Sequence, residues 1–198
     1  SLFRKYNISP LFIFDGKPPT EKNETLWMRR QIKQNAENEY KNLNEKLLTT
    51  ENIKEKETIQ ESMNVLKKKF IRLKNKDIEL AKNLIIYYGV SYIEAPYEAD
   101  ELCADMVINN KAFACLSEDM DLFVYGCPRV LRYFSLVNCS LVLYDLKLIL
   151  DKLDFSQEQF KQICILSTND YNTKKQNNLY TTIKYLINLK KKIITQIL

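Results

Sequence analysis

Eight carboxylates and one base crowd the thirty residues from Tyr92 to Asp121: Glu94, Glu98, Asp100, Glu101, Asp105, Glu118, Asp119 and Asp121 against Lys111. That stretch carries −7 in a chain whose net charge is +5, so the remaining 168 residues carry +12. Beyond Asp170 no acid occurs, whereas Lys174, Lys175, Lys184, Lys190, Lys191 and Lys192 do. Histidine is absent altogether, which excludes Ser-His-Asp and Cys-His nucleophiles and any imidazole acid or base. What these acids can do is hold hard cations. All-oxygen ligation suits Mg2+ or Mn2+ rather than zinc or copper, and two such ions can activate water and stabilise the leaving oxygen in phosphodiester hydrolysis.

Clustered carboxylates are costly without a counterion. Two like charges about 4 Å apart repel by roughly 4 kcal/mol at an effective dielectric near 20, against a total fold stability of about 5–15 kcal/mol. An acidic centre in a basic body therefore points to a metal-dependent enzyme acting on a polyanion. Solvated helix faces whose signs segregate are the plain alternative.

The elements that must position these acids follow from periodicity and punctuation. Leu11–Phe14 is a short apolar run stopped by Asp15-Gly16-Lys17-Pro18-Pro19, which reads as a strand buried on both faces. Residues 20–88 contain neither Gly nor Pro and read as helix. Met63, Leu66, Phe70 and Leu73 step by three or four, as do Ala81, Leu84, Ile85 and Tyr88. Apolar positions are sparse over residues 20–50, the mark of a projecting helix with little to bury. Val90–Ile93 reads as a second strand, with a helix from Pro96 to about Val107. Ala112–Leu116 reads as a third strand, and Val130–Phe134 with Ser140–Tyr144 as a ribbon. Helices are expected over Leu146–Leu153 and Gln157–Leu166, the second capped by Ser156, and a last basic helix from about Asn178.

Strands alternating with helices imply an α/β fold with a mainly parallel central sheet flanked by helices. Asp15, the pair Glu98 and Asp100, and the pair Asp119 and Asp121 then fall just past the carboxyl ends of three strands, the edge where open α/β sheets bind ligands. Each alone has an ordinary role: a turn for Asp15-Gly16, helix-start acids for Glu98 and Asp100, a loop for Asp119-x-Asp121. Their matching positions favour one site.

With 198 residues the chain supports one domain with an elaboration, or two small ones. Three glycines argue against a Gly-rich phosphate loop or a dinucleotide fingerprint. No apolar run is long enough to span a bilayer and no leader pattern is evident, so the chain reads as soluble and intracellular. Five cysteines without a C-x-x-C read as small buried hydrophobes in a reducing compartment.

The strings Phe14-Asp15-Gly16-Lys17-Pro18-Pro19, Glu94-Ala95-Pro96-Tyr97-Glu98-Ala99-Asp100 and Ser117-Glu118-Asp119-Met120-Asp121 resemble the flap endonuclease (XPG-type) 5′-nuclease family. Gly126–Leu131 and Cys164–Tyr171 extend the likeness, which runs from about residue 3 to 172. The resemblance implies a PIN-like 5′-nuclease fold with a projecting helical arch, here about residues 20–62. It implies Mg2+ as cofactor, in two ions with Mn2+ as a substitute, and DNA with a 5′ flap or 5′ end as partner. Asp15, Glu98, Asp100, Asp119, Asp121 and Asp170 take the metal positions; Asp100 stands where Glu is commoner. Lys22 and Arg29 align with the arch residues that contact the scissile phosphate.

The departures from the family also shape the expectation. Residue 1 is Ser, and the family's first strand with a further metal Asp has no counterpart, so residues 1–170 read as a nuclease core lacking its first strand. Residues 171–198 read as a basic helical segment, a degenerate helix-two-turn-helix region without glycine. No sliding-clamp peptide is recognisable, and the chain is expected to be a monomer. Its site of action would be the nucleus or wherever DNA replicates, a viral factory if its Lys-, Asn-, Ile- and Tyr-rich composition reflects a large DNA virus. Two other classes compete: a non-cleaving DNA-binding relative, and an RNA nuclease of PIN type.

Overall fold

The structure, a computed structural model, describes residues 2–167 and 178–197, from 189 onward as backbone alone. Two compact units emerge: residues 20–90, and the rest, residues 1–19 with 91–198. In chain order the elements are helix α1 (Leu2–Lys5), strand β1 (Leu11–Phe14), a 3-10 turn (Thr20–Lys22), α2 (Asn23–Thr49), α3 (Ile53–Lys69), α4 (Asn75–Tyr87), β2 (Ser91–Glu94), α5 (Ala99–Ile108), β3 (Cys115–Leu116), α6 (Asp121–Val124), β4 (Arg129–Ser135), β5 (Ser140–Asp145), α7 (Leu146–Leu153), α8 (Gln157–Leu166) and α9 (Leu179–Ile197).

The fold is α/β, but its strands form two sheets among the described residues rather than one. β1 and β2 pair in parallel, with Leu11 opposite Ser91 and Phe14 opposite Glu94. β3 runs parallel to β4, which pairs antiparallel with β5. β3 holds its strand geometry for only two residues, so Ala112 to Ala114 lie outside the ladder. β1 is not buried on both faces as expected: Leu11 and Phe12 are 40% and 39% exposed, because β2 is the only strand paired with it among the described residues.

α5 packs against both β1 and β3, and the core of this unit gathers around it. Ala104, Val107, Leu122, Phe123, Cys127, Val130, Leu146 and Phe160 form one apolar cluster. The thiols follow burial only in part. Cys115 and Cys127 are buried and Cys103 and Cys164 half-buried, but Cys139 is exposed in the β4–β5 turn, where its φ is +48°. α8 begins with a reciprocal cap: the Ser156 hydroxyl accepts from the Gln159 N–H, and the Gln159 side chain accepts from the Ser156 N–H.

In the helical unit, α2 and α3 form a hairpin closed by Asn52, whose side chain accepts from the Lys54 N–H. Ala36, Ile59, Met63 and Leu66 are buried, and the Tyr40 and Phe70 rings meet edge-on at 5.4 Å. Arg72 binds Gln34 and Glu37 at 3.1 and 3.0 Å. α2 has few residues to bury, as its composition indicates. The apolar step of α4 is only partly covered: Ile85 is half-buried, whereas Leu84 and Tyr88 are exposed. Among the described residues no helix is long and apolar enough to cross a membrane.

Candidate metal centre

β1 ends against the start of α5 through an approach that only glycine permits. The Gly16 N–H donates to the Tyr97 carbonyl at 2.6 Å, and a Cβ at Gly16 would collide with the carbonyl oxygens of Ala95 and Pro96. This contact sets Asp15 beside the helix terminus. Its carboxylate accepts from the Ala99 N–H at 2.8 Å, 84 residues along the chain. Glu98, at the N-cap position of α5, makes no capping bond of its own, so Asp15 supplies that cap from another segment. Asp100 follows in the first turn, where the helix dipole favours acids.

The third carboxylate group sits on a loop with its own geometry. The Ser117 N–H extends the β3–β4 ladder to the Leu131 carbonyl at 3.2 Å. The Ser117 hydroxyl then accepts from the Asp119 N–H at 3.0 Å, and the Asp119 carboxylate accepts from the Asp121 N–H at 2.9 Å. Asp121 opens α6, a short helix the sequence reading leaves as loop. Asp15, Asp119 and Asp121 are exposed, whereas Glu98 and Asp100 are half-buried.

Asp100 is where these acids act on one another. Burial, then Asp119, Asp15, Glu98 and Asp121 in that order, push its carboxyl up from 3.8 to about 6. All five sequence-expected carboxylates of the described residues therefore share one electrostatic neighbourhood. Asp121 also acts on Cys164, which burial and then Asp121 push up to about 11. A cleft of about 590 Å3 opens beside α5, lined among others by Tyr97, Glu98, Glu101, Asp105 and Lys161.

The donor chemistry fits a hard divalent cation, being all carboxylate oxygen with mutual repulsion at Asp100. The group is not a closed cage, since among the described residues no three acids or thiols stand close enough to hold one ion. Asp170 lies outside the described residues, as do Lys174 and Lys175. Lys22 ends the 3-10 turn, and Arg29 lies on α2 in the helical unit, half-buried and exposed respectively. Lys22 immediately precedes α2, on which Arg29 follows seven residues later.

Sequence reasoning assigns no role to Glu118, Arg132 or Tyr133. Glu118 is counted there among the acids, yet its carboxylate accepts from the Tyr133 N–H at 2.6 Å and pairs with Arg132 at 3.3 Å. Only the register of β4 reveals this, and no spacing in the sequence encodes it.

This α/β fold, with acids past its strand ends, has counterparts among solved structures. The catalytic core of Rad2 in complex with DNA substrate superposes with a TM-score of 0.66 at 21% identity, over 94% of this chain and 49% of that one. Flap endonuclease-1 from Methanococcus jannaschii gives 0.61 at 27% identity, over 98% and 60%.

The sequence comparisons are more specific. The XPG I-region matches residues 89–170, and the XPG N-terminal domain matches residues 1–36. Flap endonuclease 1 of Methanococcus aeolicus is 34% identical over 165 residues, covering 83% of this chain and 47% of that protein. Flap endonuclease 1 of Trypanosoma brucei gambiense is 34% identical over 167 residues, covering 83% and 40%. The chain belongs to the XPG-type 5′-nuclease family. It spans less than half the length of these curated relatives.

Proposed function

We propose that this chain is the catalytic core of a metal-dependent 5′-nuclease that cuts DNA at 5′ flaps or removes nucleotides from 5′ ends in replication and repair. The observation that carries the reading is the shared field of Asp15, Glu98, Asp119 and Asp121 at Asp100. Four acids drawn from three segments of the chain raise a fifth, which is a cost to folding that bound cations remove.

Asp15, Glu98, Asp100, Asp119 and Asp121, with Asp170, would hold two Mg2+ ions, or Mn2+ in their place. Bound there, the ions supply Lewis acidity for phosphodiester hydrolysis. Asp15 also ties the end of β1 to α5, and Asp119 orders the backbone that carries Asp121, so both shape the centre before any ion arrives. Lys22 and Arg29 on the arch, about residues 20–62, would bind the scissile phosphate as cations. The lysines of residues 171–198 would add sequence-independent attraction to the DNA backbone. The protein would act as a monomer inside the cell, at the site of DNA replication.

The test is cleavage of a 5′-labelled flap DNA by the full chain in Mg2+ or Mn2+, beside Asp119→Asn. Metal-dependent cutting that disappears in the variant supports the proposal. Salt-sensitive DNA binding without turnover in either ion overturns it in favour of a non-cleaving relative, and preference for RNA over flap DNA favours the PIN-type reading.

A further inference from the structure

Arg132 lies on β4, outside the carboxylate group, yet its polar contacts go to the loop that bears Asp119 and Asp121. Its Nη2 donates to the Glu118 carbonyl at 3.0 Å and stands 3.3 Å from the Glu118 carboxylate. Its Nη1 reaches the Met120 sulfur. The guanidinium therefore grips the residue on either side of Asp119. The rings of Tyr133 and Tyr144 lie 4.9 and 5.8 Å from it, close enough for cation–π attraction.

Several features show that the fold bends to make this contact. The Arg132 side chain is only 13% exposed, and its Nε is buried without a partner among the described residues, so the placement sacrifices one hydrogen bond. The register of β4 against β5 shifts between Arg132 and Ser135. Within that shift Tyr133 takes a φ of +55°, a left-handed conformation unfavourable for an aromatic residue. The strain has a use: it turns the Tyr133 N–H onto the Glu118 carboxylate. Two successive residues of β4 thus converge on Glu118, and bulges of this kind re-aim side chains beside functional sites. The loop's internal bonds lie within Ser117–Asp121, whereas Arg132 joins the Ser117 and Tyr133 N–H groups in tying it to β4.

We propose that Arg132 is a positioning residue for the divalent-cation centre, clamping Glu118 and Met120 so that Asp119 and Asp121 are presented together. The proposal rests on the metal-centre reading above. Residues behind metal ligands commonly change affinity by tenfold or more when removed. Arg132 acts here through the ligand's neighbours, so Arg132→Ala should weaken Mn2+ binding by about tenfold. Arg132→Lys keeps the charge but not the planar fork, and should recover part of the loss, to about threefold.

The experiment titrates the full chain with Mn2+ alone, read by electron paramagnetic resonance, with circular dichroism of the metal-free protein as the folding control. If Arg132→Ala does not fold, Glu118→Gln takes its place. It keeps an acceptor for the Tyr133 N–H but loses the ion pair, and should weaken Mn2+ by about threefold. Parental affinity in both Arg132→Ala and Glu118→Gln overturns the clamp. So does an equal loss in the two Arg132 variants with none in Glu118→Gln, because a clamp through Glu118 must be felt from both partners. If the unaltered chain itself takes up no Mn2+, the metal-centre reading fails and the clamp with it. If the unaltered chain binds and the variants bind equally, the clamp alone fails.

Discussion

Replacing Asp100 by Asn should stabilise the metal-free protein near neutral pH. In the folded chain burial and then the four surrounding acids raise its carboxyl from 3.8 to about 6. The folded state therefore holds this proton more tightly than the unfolded state does. Asp100 costs the fold nothing below about pH 4, and the cost grows through the window up to about pH 6 and persists above it. Two pKa units correspond to about 3 kcal/mol. The side chain is only half-buried, and solvent screening reduces that figure to about 1–2 kcal/mol. For a chain of this size the difference is a rise of about 3–6 °C in melting temperature. The assay is thermal unfolding by circular dichroism in a chelator at about pH 7.5 and again at about pH 4.5. Asp100→Asn should melt higher at the first pH, and the gap should shrink at the second. In millimolar Mn2+ the order should reverse, because the parent gains a ligand the variant lacks. A variant that melts no higher than the parent in chelator near pH 7.5 would refute the reasoning.

Two further outcomes test the close approach at Gly16 and the cations Lys22 and Arg29. Gly16→Ala should cost about 1–3 kcal/mol, since the new Cβ meets backbone carbonyls rather than a yielding side chain; a parental melting temperature would sink the close-approach argument. Lys22→Ala and Arg29→Ala should slow flap cleavage about a hundredfold in single-turnover assays while leaving Mn2+ affinity unchanged, as expected of phosphate-positioning cations. Loss of Mn2+ binding in either variant would count against that assignment.

The legible parts of the fold are those where local chemistry decides alone. α7 and α8 are readable to the residue because each has a side-chain cap, Asp145 on the Leu148 N–H and Ser156 on the Gln159 N–H. β1 and β5 are readable from short apolar runs, and the five described carboxylates from their place after strands. What escapes the sequence is set by tertiary partners. Nothing in Leu11–Phe14 says that its apolar side chains stay partly exposed, since that depends on which strands lie beside it. The short stretch of β3 and the turn of α6 depend on hydrogen bonds to Leu131 and within Asp119–Asp121. The Arg132 contact depends on a register shift and on one left-handed tyrosine, which a β-branched and aromatic strand pattern gives no reason to expect. Cys139 is exposed because the turn it occupies reverses the ribbon.

The parallel pairing of β1 with β2 has a kinetic consequence. Leu11 meets Ser91 only after the whole helical unit has been made between them, so this contact is among the least local in the chain. Closing a flexible loop of that length is entropically unfavourable before any burial compensates, and non-local pairings of this kind slow folding. The α2–α3 hairpin faces no such barrier, because its contacts are short in sequence and helices form in about a microsecond. Residues 20–90 should thus fold early and replace a long floppy tether by a compact spacer. On that route Asp15 reaches Ala99 late, and the acid cluster is complete only once it does.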